Sequence, residues 1–346
     1  MKIGIITFHW ATNYGAVIQA YALFDYLESR GHQVEIINYK PSRYDWMPFR
    51  IVLSNPAQLL PQIKLYQREQ LINRFRRSYL KMTKRYKTST ELKELAYSYD
   101  VIISGSDQVL NPSFTKGGEG KQSDAYYIGF SGENTKRIGY AVSFGCRDYP
   151  KDAFEFAKEW IHNFDSIGVR ETSGLDILKA FQYGQYYTVV PDPTLLCGKN
   201  MFEKLRLPSL IKDPGICVYI LGNIKVDLPD YKHKTFIDEA HESINMEQWL
   251  CYIRDAEFFV TNSYHGMLMA LLFHTPFAVI MNKRSVGQND RLSTVLDKLG
   301  LSSRLINNEA AHISFIKDVE VNWEEVDKKI ALFRREGEAF LNSYLI

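Results

Sequence analysis

Short apolar runs that break abruptly into small and polar residues recur along this sequence, each followed by a stretch able to coil into a helix. Ile3–Phe8 ends in His9-Trp10-Ala11-Thr12-Asn13-Tyr14-Gly15-Ala16. Val17–Arg30 then carries a helical pattern, closed by Gly31 before a second run at Val34–Tyr39. The same grammar returns at Asp100–Ser104, Arg137–Ser143, Ser166–Thr172, Tyr187–Val190, Ile216–Leu221, Phe258–Val260 and Pro276–Met281. Runs this short and this apolar suit strands buried on both faces, and strands that pair in parallel need a crossover, usually a helix. The expected class is therefore α/β, with two Rossmann-like, doubly wound domains facing a cleft. At 346 residues the chain is long enough for both to bury a core.

The passage Pro191-Asp192-Pro193-Thr194 reads as rigid and non-helical, and marks the junction. It divides an N-terminal domain over 1–190 from a C-terminal one over 191–321. A long terminal helix over 322–346 is expected to pack back on the first domain. Between about 41 and 95, Pro41, Pro48, Pro56 and Pro61 punctuate a stretch holding Arg68, Arg74, Arg76, Arg77, Lys81, Lys84 and Arg85. This is expected as a helical insertion whose basic side chains form a solvated face. The second domain reads as trimmed, because Gly222–Met246 is polar, contains Pro229, and has little apolar chain for the helix and strand usual there.

Composition excludes several functions. Lys and Arg number 42 against 40 Asp and Glu, so net charge gives no reason to expect nucleic acid as a partner. Cys146, Cys197, Cys217 and Cys251 show no CxxC or metal-like spacing and are expected as reduced thiols of a cytoplasmic protein. The histidines have no ligand-like pairing, so no metal is expected. The start is too soon polar for a signal peptide, and no apolar run approaches a membrane span.

Polar side chains cluster where strands end, the edge at which parallel sheets hold ligands. Ser106 and Asp107 follow one strand, Arg170 ends another, and Thr261-Asn262-Ser263-Tyr264-His265-Gly266 follows a third and opens an apolar helix-compatible stretch. Asp107 is a candidate base or helix cap. Arg170 could clamp a carboxylate or phosphate bidentately. The Ser263–Gly266 turn offers hydroxyls and free N–H groups to an anion, and His265 is the residue type that gives and takes a proton near neutral pH. The Asn13-Tyr14-Gly15 loop is no dinucleotide fingerprint, since GxGxxG is absent.

Taken in order, Asn13-Tyr14-Gly15-Ala16 with Gln19-Ala20, Gly105-Ser106-Asp107-Gln108, Ala141-Val142-Ser143-Phe144-Gly145, Val169-Arg170-Glu171, Asp192-Pro193-Thr194-Leu195-Leu196 and Thr261–Gly266 closely resemble the polysaccharide pyruvyl transferase family, over nearly the whole chain. The resemblance implies a glycosyltransferase-B-like fold. It also implies transfer of the pyruvyl group of phosphoenolpyruvate to sugar hydroxyls as a ketal, in surface glycan or exopolysaccharide biosynthesis, with Arg170 and His265 at the donor site. No cofactor is then needed, phosphoenolpyruvate being a substrate. The partners are that donor and a sugar or glycan acceptor, which, if lipid-linked, would be met at the inner face of the membrane. On this view His265 delivers a proton, Asp107 accepts one, and Arg170 holds the donor. Asn13, Tyr14, Gly15 and Ser106 line one wall, and Asn262, Ser263, Gly266 and Arg291 the other. Two alternatives stay open: a nucleotide-sugar-dependent glycosyltransferase of the same architecture, and an inactive glycan-binding or assembly protein.

Overall fold

A computed structural model describes residues 1–45, 59–117, 120–209, 214–222, 224–237, 244–281 and 286–345. Its strands form two wholly parallel sheets. The first contains β1 (Lys2–Ile6), β2 (Gln33–Ile36), β3 (Val101–Asp107), β4 (Lys136–Val142), β5 (Ser166–Val169) and β6 (Tyr186–Val189), in the order β2-β1-β3-β4-β5-β6. The second contains β7 (Ile216–Tyr219), β8 (Lys234–Ile237), β9 (Phe258–Thr261), β10 (Phe277–Ile280) and β11 (Leu305–Ile306), in the order β11-β10-β9-β7-β8. The chain changes direction across each sheet beside its first strand. The loops after β1 and β3, and after β7 and β9, therefore flank the crevices where such sheets take ligands.

The helices are α1 (Tyr14–Ser29), α2 (Leu59–Tyr79), α3 (Lys151–Ile161), α4 (Ser173–Ala180), α5 (Pro193–Cys197), α6 (Met246–Arg254), α7 (Tyr264–Phe273), α8 (Val286–Leu299), α9 (Ala310–Lys317) and α10 (Trp323–Asn342). Two of them are buried all round: α1 from Tyr14 to Leu27 and α7 from Tyr264 to Leu272. A helix apolar on every side belongs inside a protein. These two pack against each other and carry one apolar core from the first domain into the second.

Among the described residues no helix joins β7 to β8, in keeping with a trimmed domain. The strand β8 does form, which the polar sequence around it hid. Ile224, Val226, Leu228 and Tyr231, in chain without regular structure, lie with α9 against a separate apolar cluster of Ile216, Val218, Phe258, Val260, Ala278, Ile280, Ile313 and Ile316. Two other expectations need correction. Pro193 does not exclude a helix but starts one, as the first residue of α5 behind an Asp192 cap, where its missing N–H costs nothing. In the basic insertion, Arg68 and Arg76 are buried instead of solvated. The Arg76 guanidinium donates to the carbonyls of His9 (2.7 Å) and Ala11 (2.6 Å), and to Glu69 and Asn73, so α2 clamps the β1–α1 loop. Pro48 and Pro56 lie outside the described residues.

The last helix, α10, bridges the two domains, with Trp323 stacked on His274 and Lys298 over Phe333 at one end and first-domain rings at the other. Arg334 donates to the Leu195 carbonyl, and Phe340 sits against the rings of Tyr140 and Tyr186. A Cβ on Gly337 would meet Pro191 and the Tyr140 hydroxyl at 2.7 Å, so close an approach needs glycine. None of the four cysteines forms a disulfide. Among the described residues, no helix is long and apolar enough to cross a membrane.

Candidate active site

Three strand ends of the first domain and one helix start of the second meet at a buried carboxylate. Asp192 caps α5, with Oδ1 accepting from the Thr194 amide (3.0 Å) and hydroxyl (2.9 Å). Its other oxygen accepts from Ser106 Oγ (2.8 Å) at the end of β3 and from Arg170 Nη1 (3.4 Å) just after β5. His265 Nε2, in the first turn of α7, lies 3.4 Å from the same oxygen, facing the ends of β3 and β5. Burial alone would raise the Asp192 pKa. The His265 charge, the Arg170 guanidinium and the Thr194 amide outweigh it and hold the carboxyl well below the usual range.

Arg170 has no exposed surface. Its Nη2 stands 3.7 Å from Asp107 Oδ1, and its Cζ lies 4.5 Å from the centroid of the Tyr264 ring. A second guanidinium, Arg291 of α8, lies over the same ring at 5.7 Å. Burial and the Arg170 charge both lower the Arg291 pKa, as expected when two cations share a dry site. The cluster is short of acceptors. Arg170 Nε and Nη2, Arg291 Nε, Tyr264 Oη and His265 Nε2 are all shut off from solvent without a hydrogen-bond partner. Buried donors are normally paired, so a concentration of unpaired ones marks the place for an acceptor from outside.

The backbone around this cluster is distorted where function would use it. Asp107 takes a positive φ of 83° and Ala141 one of 51°. The latter accompanies a register shift between β4 and β5, a bulge that redirects the Ser143–Gly145 loop. Glu171 gathers that loop, accepting at one oxygen from Ser143 Oγ (2.7 Å) and the Phe144 amide (3.0 Å).

Other residues singled out from the sequence sit close by. Asn13 caps α1, its side chain accepting from the Ala16 amide at 3.1 Å. Gly15 faces His265, and a Cβ there would run into Nδ1 of the imidazole. Tyr14 stacks on Trp249 of α6 and donates to the Ile244 carbonyl (2.7 Å), tying the two domains together. Asn262 holds both backbone groups of Leu221 (2.7 and 2.9 Å), and Thr261 Oγ1 donates to the Tyr219 carbonyl (2.7 Å), so this stretch is fastened to the end of β7. Ser263 caps α7 by accepting from the Gly266 amide at 3.2 Å. The sequence had not singled out Asp192, Glu171 or Tyr264 as site residues. An aspartate between two prolines and a glutamate beside an arginine were legible as polar groups at strand ends. Tyr264 gave no signal apart from its place inside the histidine motif.

A family model for polysaccharide pyruvyl transferases matches residues 13–284, the span that holds the described cluster apart from Arg291. The chain belongs to the polysaccharide pyruvyl transferase family. Comparison with functionally curated proteins gives no match. Among solved structures, this family member is similar to a protein described as a UDP-N-acetylglucosamine 2-epimerase from Listeria monocytogenes. That likeness has 10% identity and a TM-score of 0.54 over 99% of this chain and 96% of the other. It is also similar to the UDP-GlcNAc 2-epimerase of Methanocaldococcus jannaschii, with 11% identity and a TM-score of 0.52 over 93% of each. At such identities the likeness is one of fold: two Rossmann-like domains in a glycosyltransferase-B-like arrangement. Among the described residues of this transferase family member, no group of three or more His, Cys, Asp or Glu side chains could hold a metal ion.

Proposed function

We propose that this chain transfers the pyruvyl group of phosphoenolpyruvate to a pair of sugar hydroxyls, closing a ketal and releasing inorganic phosphate. The observation that carries the proposal is the buried, acceptor-poor cluster of Arg170 and Arg291 beside His265. A site with two guanidiniums and unfilled donor positions suits a substrate with a phosphate and a carboxylate. Membership of the family supports the transferase class and a glycan acceptor.

The chemistry runs in balanced steps. His265 gives a proton to the methylene carbon, which becomes a methyl group, and C2 gains oxocarbenium character. A sugar hydroxyl adds to C2, losing its proton to Asp107. The bond from C2 to the phosphate oxygen then breaks, and phosphate departs towards the arginines. A second sugar hydroxyl closes the ketal, and its proton goes to solvent or phosphate. Asp192 keeps a negative charge beside His265 and orients the ring. Gly15 leaves room at Nδ1 on the other side.

The test is incubation with phosphoenolpyruvate and galactose-, mannose- and N-acetylmannosamine-containing acceptors, reading phosphate release together with product mass. Acceptor-dependent phosphate release with a pyruvylated product is expected. Saturable turnover of a nucleotide sugar with no response to phosphoenolpyruvate would overturn the proposal. His265→Ala and Arg170→Ala should each cost at least about a hundredfold in rate. Wild-type turnover in either variant removes that residue from its role.

A further inference from the structure

Tyr264 has no part in the steps above, yet it sits at their centre. Its side chain is 2% exposed, its ring lies under both guanidiniums, and the His265 ring meets it edge-on at 5.2 Å. Its hydroxyl is buried and has no partner. A buried hydroxyl without a partner is destabilising, and phenylalanine would fill the same space without that cost. The ring alone therefore does not account for tyrosine at this position.

Two features of the surroundings say what the phenol is for. First, Arg170 and Arg291 repel each other, and the negative face of an aromatic ring is a neutral means of holding two cations near one point without consuming their hydrogen bonds. A carboxylate in the same place would hold them too, but would fill the donors that a substrate needs. Second, the unpartnered atoms around the phenol are mostly donors: Arg170 Nε and Nη2 and Arg291 Nε, with His265 Nε2 and one acceptor oxygen of Glu171 beside them. Burial and the Asp192 charge lift the phenol far above its ordinary pKa, so it stays protonated and keeps an O–H to donate. A polyanion with several oxygens satisfies such a set together, whereas a neutral sugar brings hydroxyls that need acceptors as well as donors.

We infer that Tyr264 is a donor-binding residue whose ring positions Arg170 and Arg291 and whose hydroxyl donates to an oxygen of the phosphate group held by them. This inference rests on the proposed donor site and adds a determinant of its preference for phosphate esters. The ring and the hydroxyl can be separated by substitution. Tyr264→Phe keeps the ring and removes the donor; Tyr264→Leu removes both.

Calorimetric titration of the full chain with inorganic phosphate and with phosphoenolpyruvate, alongside phosphate-release kinetics, reads the two roles. Tyr264→Phe should weaken binding of both ligands about tenfold, the loss expected for one hydrogen bond to a charged group, and raise KM more than it lowers kcat, with an unfolding midpoint at or above that of the wild type. Tyr264→Leu should weaken both further. Unchanged affinity and KM in Tyr264→Phe would overturn the role of the hydroxyl. Equal affinity in the Phe and Leu variants would overturn the role of the ring. If wild type binds inorganic phosphate, Tyr264→Phe binds it more weakly, and phosphoenolpyruvate is not turned over, the donor assignment fails while Tyr264 stands as an anion-binding residue. If wild type binds neither ligand, both fail.

Discussion

The Asp192 carboxylate is wholly buried and remains ionised because Ser106, Thr194, Arg170 and His265 surround it. A carboxyl whose pKa is depressed on folding stabilises the native state above its ordinary value of 3.8, and that contribution is lost as pH falls below it. Replacing it with asparagine leaves Arg170 with Asp107, 3.7 Å away, as its nearest counter-charge among these partners. Asp192→Asn should therefore cost about 3–5 kcal/mol at neutral pH, measured by urea denaturation. Gly15→Ala should act differently: its Cβ displaces the His265 imidazole, so turnover should fall at least tenfold while the unfolding midpoint drops little. At this scale the sequence told which residue types sit at strand ends, and so brought out Arg170, Asp107 and His265. It could not tell that Asp192, 22 and 73 residues from Arg170 and His265 in the chain, stands between them, because that meeting depends on how two separate sheets face each other.

Among the elements, α2 shows how one buried cation fixes a loop. Arg76 holds the carbonyls of His9 and Ala11, and Glu69 takes the Thr12 hydroxyl, so the chain approaching Asn13 is gripped from outside the sheet. Arg76→Ala should lower stability by about 3 kcal/mol and reduce turnover through the loosened start of α1; a thermal melt and an activity assay read both. His9 is gripped from the other side, with ring contacts of 3.1 Å to the Thr7 carbonyl and the Asn38 amide. Burial lowers its pKa from 6.5 to about 4, the Asn38 contact opposing this and the Arg76 charge adding to it. The folded chain then binds fewer protons than the unfolded one between those values, so this contribution is complete above pH 6.5 and is lost as pH falls towards 4. The loss is roughly 3 kcal/mol in all, and His9→Gln should flatten that part of the stability–pH curve. Most strands were legible as elements because their apolar runs are short and sharply ended. Arg74, Arg77, Lys81, Lys84 and Arg85 are exposed as expected, but Arg76 was misread because an arginine that satisfies buried carbonyls has the same letter as one in water, and β8 was missed because Lys234-Thr235-Phe236-Ile237 has only one apolar side chain fully inside.

For the molecule as a whole, the two domains meet along a seam of unequal fastenings. Near the site, Tyr14 reaches Ile244 and Trp249, and Gly15 abuts His265. Farther out, Arg147 forms a two-pronged pair with Asp290 at 2.8 Å, and Thr172 meets Thr294 at 3.3 Å. The Arg147 side chain is 60% exposed, so the pair is worth at most about 1 kcal/mol. A donor must reach side chains that are now sealed, which requires the seam to part. Arg147→Ala should leave the melting temperature nearly unchanged but speed donor association in stopped-flow titration; an unchanged rate would place the opening elsewhere. The two-domain plan was readable from the alternation of strands and helices, while the seam was not, since its contacts join residues more than a hundred positions apart. The second sheet brings a different consequence. Where a helix would ordinarily shield one face, residues 224–233 run without regular structure, and the described backbone hydrogen bonds there join the Asp227 amide to the Asn308 carbonyl and the His233 carbonyl to the Ile216 amide. Amide protons that lack a helical ladder exchange through small local openings. In deuterium-exchange mass spectrometry this stretch should label within seconds while the amides of α1 and α7 stay protected for hours, making the outer flank of the second domain the first place where the native state yields.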